Sequence, residues 1–253
     1  MRIKQVIGPV LTVLLASLFL LLGPIAVPIN AQINSTWKGG TGDWSNAANW
    51  NPAEVPNNIG LSTTYHVTIN VPGSFVTMDV LNDTIVSLSL GGSDSLSINS
   101  SASLSLLNGA NSFGTLTNSG NLLNEGTVNN AGNLDNITGT MTNGSSSTLN
   151  NSGSILNFGF VGNAVLNNAG TLNNTGTIFN VSSGGVANTG ILNNSGAFNI
   201  SPGGSLSNSG TFNNSGTIDA LIGGLGNGGT FANTGTINLQ EDALTNPHEQ
   251  WHA

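Results

Sequence analysis

Residues 168–187 read NAGTLNNTGTIFNVSSGGVA, and residues 188–207 read NTGILNNSGAFNISPGGSLS. The two stretches align position by position, and the phrase Asn-(Ser/Thr/Ala)-Gly-x-(Leu/Ile/Phe)-x occurs twice in each, followed by a glycine-rich spacer. A fixed period of about 20 residues is typical of solenoids, in which a coil buries its apolar side chains only against neighbouring coils. The repeat therefore predicts a stack of coils.

The apolar residues of successive coils fall into three columns when the coils are superposed. Within a coil the apolar positions are six, six and eight residues apart. This spacing is too short for a helical hairpin and fits strands of about three to five residues joined by turns. We expect a longer spacer in the coil that begins at Asn208. The predicted columns are Leu172, Leu192 and Phe212; Ile178, Phe198 and Ile218; and Val186, Leu206 and Phe231.

Glycine and asparagine recur in register at the predicted turns. Each glycine lies two residues before an apolar residue, where either a corner leaves no room for Cβ or the backbone takes a positive φ. The asparagines predict stacked side-chain amides that hydrogen-bond along the axis. These positions are Gly170, Gly176, Gly190, Gly196, Gly210 and Gly216, and Asn168, Asn174, Asn188, Asn194, Asn208 and Asn214. The predicted fold is all-β, a single-stranded parallel β-helix (β-solenoid) of about 20 residues per coil, with its handedness left open.

The composition excludes several classes of partner. Only 6% of residues are charged, and beyond Arg2 and Lys4 the only Lys or Arg is Lys38. Nucleic acids and anionic membrane surfaces bind clusters of Lys and Arg, so neither is an expected partner. The chain has no cysteine, which excludes disulfides, thiol catalysis and a lipid-modified N-terminal cysteine. Low-complexity disorder is the alternative to a fold, although disordered chains lack regular apolar columns.

Residues 1–31 have the pattern of a secretory signal peptide. Arg2 and Lys4 precede an apolar run from Val10 to Leu22, and small residues follow up to Ala31. The run of about 13 residues is shorter than the ~20 needed to cross a membrane, so a retained anchor is the alternative. We therefore expect a secreted or cell-surface protein with no stable membrane span after signal removal.

Residues 32–64 are rich in tryptophan and glycine and form the predicted N-terminal cap. Residues 37–44 read WKGGTGDW, and Trp50 follows. A solenoid exposes an apolar end and unpaired strand edges at its first coil, and large aromatic side chains can cover them. The alternative is a flat platform for sugar rings. On that interpretation the candidate glycan contacts are Trp37, Trp44 and Trp50.

The tryptophan pattern also carries a family resemblance. The motif Trp-x-Gly-Gly-x-Gly-x-Trp, followed by Asn-Trp, a proline and downstream Asn-Gly repeats, resembles the opening of secreted bacterial proteins with autotransporter-passenger-like β-helices. The resemblance covers residues 37–238 and implies a β-helix exported to the cell surface. The residues after 238 are too few for a membrane barrel and contain no hydrophobic sorting tail. The resemblance therefore does not extend to self-translocation.

The remaining chain divides into three predicted segments. Residues 65–117 form irregular first coils, residues 118–238 the regular Asn-Gly repeat, and residues 239–253 a C-terminal tail. The tail has few apolar side chains to cover the last coil, so we expect either end-to-end self-association or a fragment of a longer protein. The predicted strand residues of the first coils are Val67, Ile69, Val71, Val86, Leu88, Leu90, Leu96, Ile98, Leu104 and Leu106. In the regular repeat the predicted inward residues are Leu122, Val128, Leu134 and Met141.

A carbohydrate-active β-helix enzyme, either lyase or hydrolase, is the first alternative function. A lyase needs a basic side chain, and Lys38 lies inside the predicted cap. A hydrolase needs two carboxylates about 5 to 10 Å apart. Glu125 and Asp135 are ten residues apart and Asp219 stands alone among the later coils, so no aligned pair is predicted. We expect no catalytic residues, no cofactor and no enzymatic activity.

Residues 248–252, HEQWH, match the zinc motif His-Glu-x-x-His. Pro247 and the end of the sequence at residue 253 leave about one and a half turns of helix and no third ligand. We therefore predict no metal site. The candidate ligands in this motif are His248, Glu249 and His252.

An ice- or glycan-binding module is the second alternative function. Thr171 and Thr211 flank the first apolar column, and Thr177 and Thr217 flank the second. Such a face must be regular along the stack to order water, and Ile191 and Ala197 interrupt both files. Eleven Asn-x-Ser/Thr sequons also occur, and they matter only in a host that glycosylates exported proteins. They include Asn34, Asn82, Asn99, Asn136, Asn173, Asn193 and Asn213.

The sequence favours a secreted, non-enzymatic structural or adhesin-like surface protein. Its expected partners are glycans or neighbouring surface proteins, because repeated Asn, Ser and Thr side chains line the predicted outer faces.

Overall fold

The computed structural model describes residues 31–58, 63–159, 164–221, 223–240 and 244–245. The predicted signal peptide lies outside the described residues except for Ala31, which begins the first strand. No helix in the described part of the chain is long and apolar enough to span a membrane.

The described residues form three sheets, A, B and C, to which each coil contributes one strand in turn. Sheet A contains β1 (Ala31–Trp37), β3 (Trp50–Asn51), β4 (Thr63–Ile69), β7 (Ser87–Leu90), β10 (Gly109–Ser112), β13 (Thr127–Asn130), β16 (Thr148–Asn151), β19 (Thr171–Asn174), β22 (Ile191–Asn194), β25 (Thr211–Asn214) and β28 (Thr230–Asn233). Sheet B contains β2 (Thr41–Asp43), β5 (Phe75–Met78), β8 (Ser95–Ile98), β11 (Thr115–Asn118), β14 (Asn133–Ile137), β17 (Ser154–Gly159), β20 (Thr177–Ser182), β23 (Ala197–Ile200), β26 (Thr217–Ala220) and β29 (Thr236–Leu239). Sheet C contains β6 (Asp83–Ile85), β9 (Ser103–Leu106), β12 (Asn121–Asn124), β15 (Thr140–Asn143), β18 (Val165–Asn168), β21 (Gly185–Asn188), β24 (Ser205–Asn208), β27 (Gly224–Asn227) and β30 (Leu244–Thr245).

This arrangement confirms the predicted parallel β-helix. The strands of successive coils pair in parallel, and among the described strands only β1 and β3 pair antiparallel, at Trp37 and Trp50 in the cap. From β4 onward, equivalent residues of neighbouring coils are 18 to 25 positions apart, and 20 apart in the most regular part. The first coil step is longer, 32 residues in sheet A and 34 in sheet B. From β11 to β29 sheet B takes six coil steps, which gives a rod section of about 29 Å at ~4.8 Å per step.

The inward residues are those that the periodicity indicated. Strands of four residues alternate outward and inward, so their second and fourth side chains face the core. Val71 is the exception in the first coils, since β4 ends two residues earlier and Val71 is 37% exposed. Buried columns include Val67, Leu88, Leu96, Leu104, Leu116, Leu122, Val128, Leu134, Met141, Leu172, Ile178, Val186, Leu192, Phe198, Leu206, Phe212 and Ile218.

The third column differs from the prediction at one position. Leu225 occupies that column in sheet C, whereas Phe231 follows Phe212 in sheet A. The prediction was wrong because the coil that begins at Asn208 is shorter, not longer, and its next rung comes 19 residues later. Residues 227–229 read NGG, a copy of the repeated phrase with glycine in the middle position.

The glycines of the phrase are required for space rather than for positive φ. In the described chain a positive φ occurs at other glycines, such as Gly203 in a spacer. A Cβ on Gly196 would collide with the backbone carbonyl oxygen of Gly176 in the preceding coil, and the same holds for Gly190 above Gly170. Successive turns therefore touch through their backbones, which only glycine permits.

The fourth residue of each four-residue strand lies at a corner of the coil and is buried from β5 to β26. In sheets A and C of the later coils this residue is asparagine, and in sheet B it is asparagine up to Asn180 and then Ile200 and Ala220. Within each run of corner asparagines, Nδ2 donates to Oδ1 of the corner asparagine in the following coil at 2.6–2.9 Å. The three corner ladders confirm the predicted amide stacking. They contain Asn118, Asn136, Asn157 and Asn180; Asn124, Asn143, Asn168, Asn188, Asn208 and Asn227; and Asn130, Asn151, Asn174, Asn194, Asn214 and Asn233.

Most of the predicted tail, residues 239–253, lies outside the described residues. In the described part of the tail, β30 pairs with β27 and so continues sheet C. End-to-end association through the last coil stays a prediction.

Candidate functional site

The three tryptophans of the cap pack together inside the first coil. Trp37, Trp44 and Trp50 are 0–1% exposed, and Trp50 contacts both other rings edge to face at centroid distances of 4.7 and 5.0 Å. Each indole N–H donates to a backbone carbonyl oxygen: Trp37 to Gly40, Trp44 to Pro56 and Trp50 to Trp44. Because no indole face is open to solvent, this geometry favours the capping interpretation over a sugar platform.

The charged residues considered for catalysis lie apart. The Lys38 ammonium group donates a hydrogen bond to the carbonyl oxygen of Ala48 at 2.8 Å within the cap. Asp135 and Asp219 both point outward from sheet B but are four coil steps apart, about 19 Å. Glu125 lies exposed in the turn between sheets C and A. These three carboxylates are therefore not brought together as the pair that glycoside hydrolysis uses.

The zinc candidates His248, Glu249 and His252 lie outside the described residues. Within the described ranges no group of three His, Asp or Glu side chains is placed to hold a metal ion.

The strand register shows that both rows of outward threonines are interrupted, as the sequence predicted. In sheet A the outward neighbour of both Thr171 and Thr211 is Ile191, which is 43% exposed. In sheet B, Ala197 separates the corresponding threonines. Neither file therefore offers the uninterrupted hydroxyl lattice that ordering of water needs.

The sequons differ in accessibility. Asn136 is fully buried in a corner ladder, so its amide is not available for modification in the folded protein. Asn173, Asn193 and Asn213 instead point outward from sheet A.

A buried acid, Asp83, was not anticipated from the sequence. It opens β6, is 2% exposed and occupies the inward position that Leu104 fills in the next coil. Burial raises its pKa to about 7, and the nearby Trp44 indole and Thr84 backbone N–H lower that pKa by less. Neither carboxyl oxygen makes a hydrogen bond within the described chain. The period-two alternation in residues 83–85 is the signal that could have placed it inward.

A second amide ladder, with half-buried and exposed members, runs along the outer face of sheet A. Each Nδ2 donates to Oδ1 of the asparagine in the preceding coil at 2.8–2.9 Å, the reverse of the direction in the corner ladders. This outer ladder contains Asn111, Asn129, Asn150, Asn173, Asn193 and Asn213. The sequence prediction considered the first asparagine of each phrase and not the asparagine that precedes it in sheet A, so this ladder was not predicted.

The outer ladder forms one wall of a continuous groove parallel to the axis. Two stretches of about 440 and 510 Å³ meet at Asn173 and Thr175. The opposite wall is formed by turn residues that follow the corner asparagines of sheet A. We call this surface the asparagine groove; its walls are Asn129, Asn150, Asn173, Asn193 and Asn213, and Ala131, Ser152, Thr175, Ser195 and Ser215.

The hydroxyl groups of the second wall already donate hydrogen bonds within the protein. Ser152, Thr175, Ser195 and Ser215 each donate to the carbonyl oxygen of a corner asparagine in the preceding coil at 3.2–3.4 Å. Their oxygen lone pairs remain as acceptors toward the groove. Phe113, 63% exposed, lies beside the groove at its N-terminal end.

Comparisons with protein-family models, curated proteins and solved structures gave no match. The fold and the chemistry of its surface are therefore the basis for a functional proposal.

Proposed function

We propose that this protein is a secreted, non-enzymatic β-helix of structural or adhesin-like function at the cell surface. The observation that carries the proposal is the outer ladder: a row of outward amides, repeated once per coil, whose hydrogen-bonding groups are only half used. Such a rod presents the same polar contacts many times along its length, which suits attachment to an extended partner.

Three further features support the proposal. The N-terminal 31 residues have the composition of an export signal. The absence of cysteine leaves coil stacking and amide ladders as the sources of stability, and both function without a redox requirement. The tryptophan motif resembles that of autotransporter-passenger-like proteins, and its rings close the first coil.

Two assays test the proposal. The full chain is expressed in a bacterium with an export pathway, and antibody detection is compared in cytoplasm, periplasm, cell surface and medium. Cells that export the chain are then scored for adherence to polysaccharide-coated surfaces and for release of soluble sugars. Export with adherence and without sugar release supports the proposal. Retention in the cytoplasm overturns it, and release of soluble sugars establishes the carbohydrate-active enzyme instead.

A further inference from the structure

We infer that the asparagine groove binds a linear, uncharged polysaccharide laid parallel to the β-helix axis. The inference rests on the proposed function and deepens it by naming the site and the ligand class. The inference is based on a row of amides that faces a row of acceptor hydroxyls, with an exposed phenyl ring at one end.

The unused hydrogen-bonding groups of the groove match sugar hydroxyls. A primary amide has two N–H donors and accepts two hydrogen bonds. Inside the outer ladder Asn150, Asn173 and Asn193 each use one donor and one acceptor within the described chain. Each rung therefore keeps one N–H and one lone pair, and the facing hydroxyl wall adds acceptors only. A ligand must supply many donors and some acceptors, which a polyhydroxylated chain does.

The spacing of the rungs also fits a chain of sugar rings. From Asn129 to the coil of Ala232 the groove spans five coil steps, about 24 Å at ~4.8 Å per step. A pyranose residue of an extended polysaccharide is about as long as one step. Each ring can therefore meet one amide, and the contacts repeat along the chain.

Charge and backbone pairing argue against other occupants. The residues described along the groove include no charged side chain, so an acidic polymer gains no ion pair there. An extended peptide is recognised mainly by backbone hydrogen bonds to a free strand edge. In sheet A the strands run across the groove and pair with neighbouring coils on both sides from β13 to β25, so they offer no free edge.

Phe113 supplies the apolar contact that sugar binding commonly includes. Its ring is 63% exposed and lies next to the first amides of the groove, Asn129 and Asn150. The C–H face of a pyranose can cover this ring while its hydroxyl groups reach the amides.

Binding of the exported full chain is measured by isothermal titration with hexasaccharides of neutral glucan, xylan and mannan, and with acidic galacturonate and alginate oligomers. The groove variant combines Asn173→Ala with Asn193→Ala, and Phe113→Ala tests the ring. Matched controls are Asn199→Ala, which removes an outward amide of sheet B, and Phe75→Ala, which removes another exposed ring. Melting temperatures of all variants establish that the fold is intact.

We expect at least one neutral hexasaccharide to bind, with Kd raised roughly tenfold by the double asparagine variant and about threefold by Phe113→Ala. Both controls should bind as the unmodified chain does. The inference is overturned if no neutral oligomer binds, if acidic oligomers bind instead, or if the groove variants bind normally. It is also overturned if those variants abolish concentration-dependent self-association in sedimentation, because the occupant is then a second copy. Adherence of exporting cells without any such binding leaves the proposed function standing and removes only this site.

Discussion

The first coils and the later coils share one register but fill their corners differently. In sheet B the corner residue is Ile98 in one coil and Asn118 in the next, and in sheet C Leu106 is followed by Asn124. All four side chains are buried. The same backbone position therefore accepts either an aliphatic group or an amide.

The difference teaches what each kind of corner contributes. Burial of an aliphatic side chain contributes about 1.5–3 kcal/mol to the free energy of unfolding. Its contacts are non-directional and do not select one particular neighbour. A corner asparagine such as Asn174 donates both to the amide of Asn194 and to the carbonyl oxygen of Ala197, which opens the next strand of the following coil. The ladder thus ties each turn to one particular neighbour and fixes the register.

The largest expected effect concerns the apolar column that both regions share. Phe198 is fully buried and packs against Phe212 at a centroid distance of 6.1 Å. Phe198→Ala should reduce the free energy of unfolding by about 3–5 kcal/mol, because a rigid coil cannot collapse into the cavity. Urea denaturation measures it, with Thr177→Ala on the outer face of sheet B as a nearly neutral control. Equal losses for the two variants would mean that the inward and outward faces are misassigned.

Asp83 provides a comparison within the first coils, because it occupies the inward position that Leu104 fills in the next coil. Since its pKa is raised from 3.8 to about 7, the folded protein keeps the proton while the unfolded chain loses it. Stability should therefore fall as pH rises through that window, by up to ~4 kcal/mol, and level off above it. Asp83→Asn should match the unmodified protein in melting temperature near pH 4 and exceed it most at pH 8. A difference that does not vary with pH contradicts this account.

Breaking one corner ladder tests the later coils directly. Asn194→Ala leaves the buried Oδ1 of Asn214 without its donor and removes an acceptor from Asn174, so unfolding free energy should fall by about 2–3 kcal/mol. The matched control is Asn193→Ala on the adjacent, outward position, with an expected change below about 0.5 kcal/mol. If both variants lose the same amount, the buried ladder adds nothing that an exposed one does not.

The smallest expected effect is a difference between two substitutions in aliphatic corners. Ile98 lies beside Asn118, whose Oδ1 has no hydrogen bond within the described chain, whereas Ile69 lies beside Leu90. Both Ile→Asn changes lose apolar burial, but the new amide at position 98 can donate to Asn118 and extend the ladder. Ile98→Asn should therefore be less destabilising than Ile69→Asn by about 1–2 kcal/mol in urea denaturation. The reverse order would show that ladders cannot be lengthened in this way.

The repeat predicted most of the fold because similar coils stack on one another, so residues one period apart occupy equivalent positions. Leu172, Leu192 and their equivalents align only if the period is a coil, and the glycines mark the turns. The assignment of Phe231 to the third column was wrong because glycine occupies the middle position of the phrase at residue 228, so this copy of the repeat was not recognised.

The candidate site was less predictable for a physical reason. The sequence shows which residues recur, but whether an asparagine faces inward depends on its position relative to the apolar residue of its strand. Asn174 lies two positions after Leu172 and is buried, whereas Asn173 lies one position after it and points outward. Period-two alternation separates them, and a groove between two files becomes visible only when turns and strands are placed together.

Hydrogen exchange of the asparagine side-chain amides tests the central claim, that one set of amides is buried and holds the β-helix together while another lies at its surface with half of its hydrogen-bonding groups unused. In protein labelled with ¹⁵N-asparagine, the Nδ2 protons of Asn174 and Asn194 should exchange slowly because they are buried and bonded. Those of Asn173 and Asn193, one residue before each, should exchange much faster. Uniformly fast exchange at all four would contradict the buried ladders and the fold that depends on them.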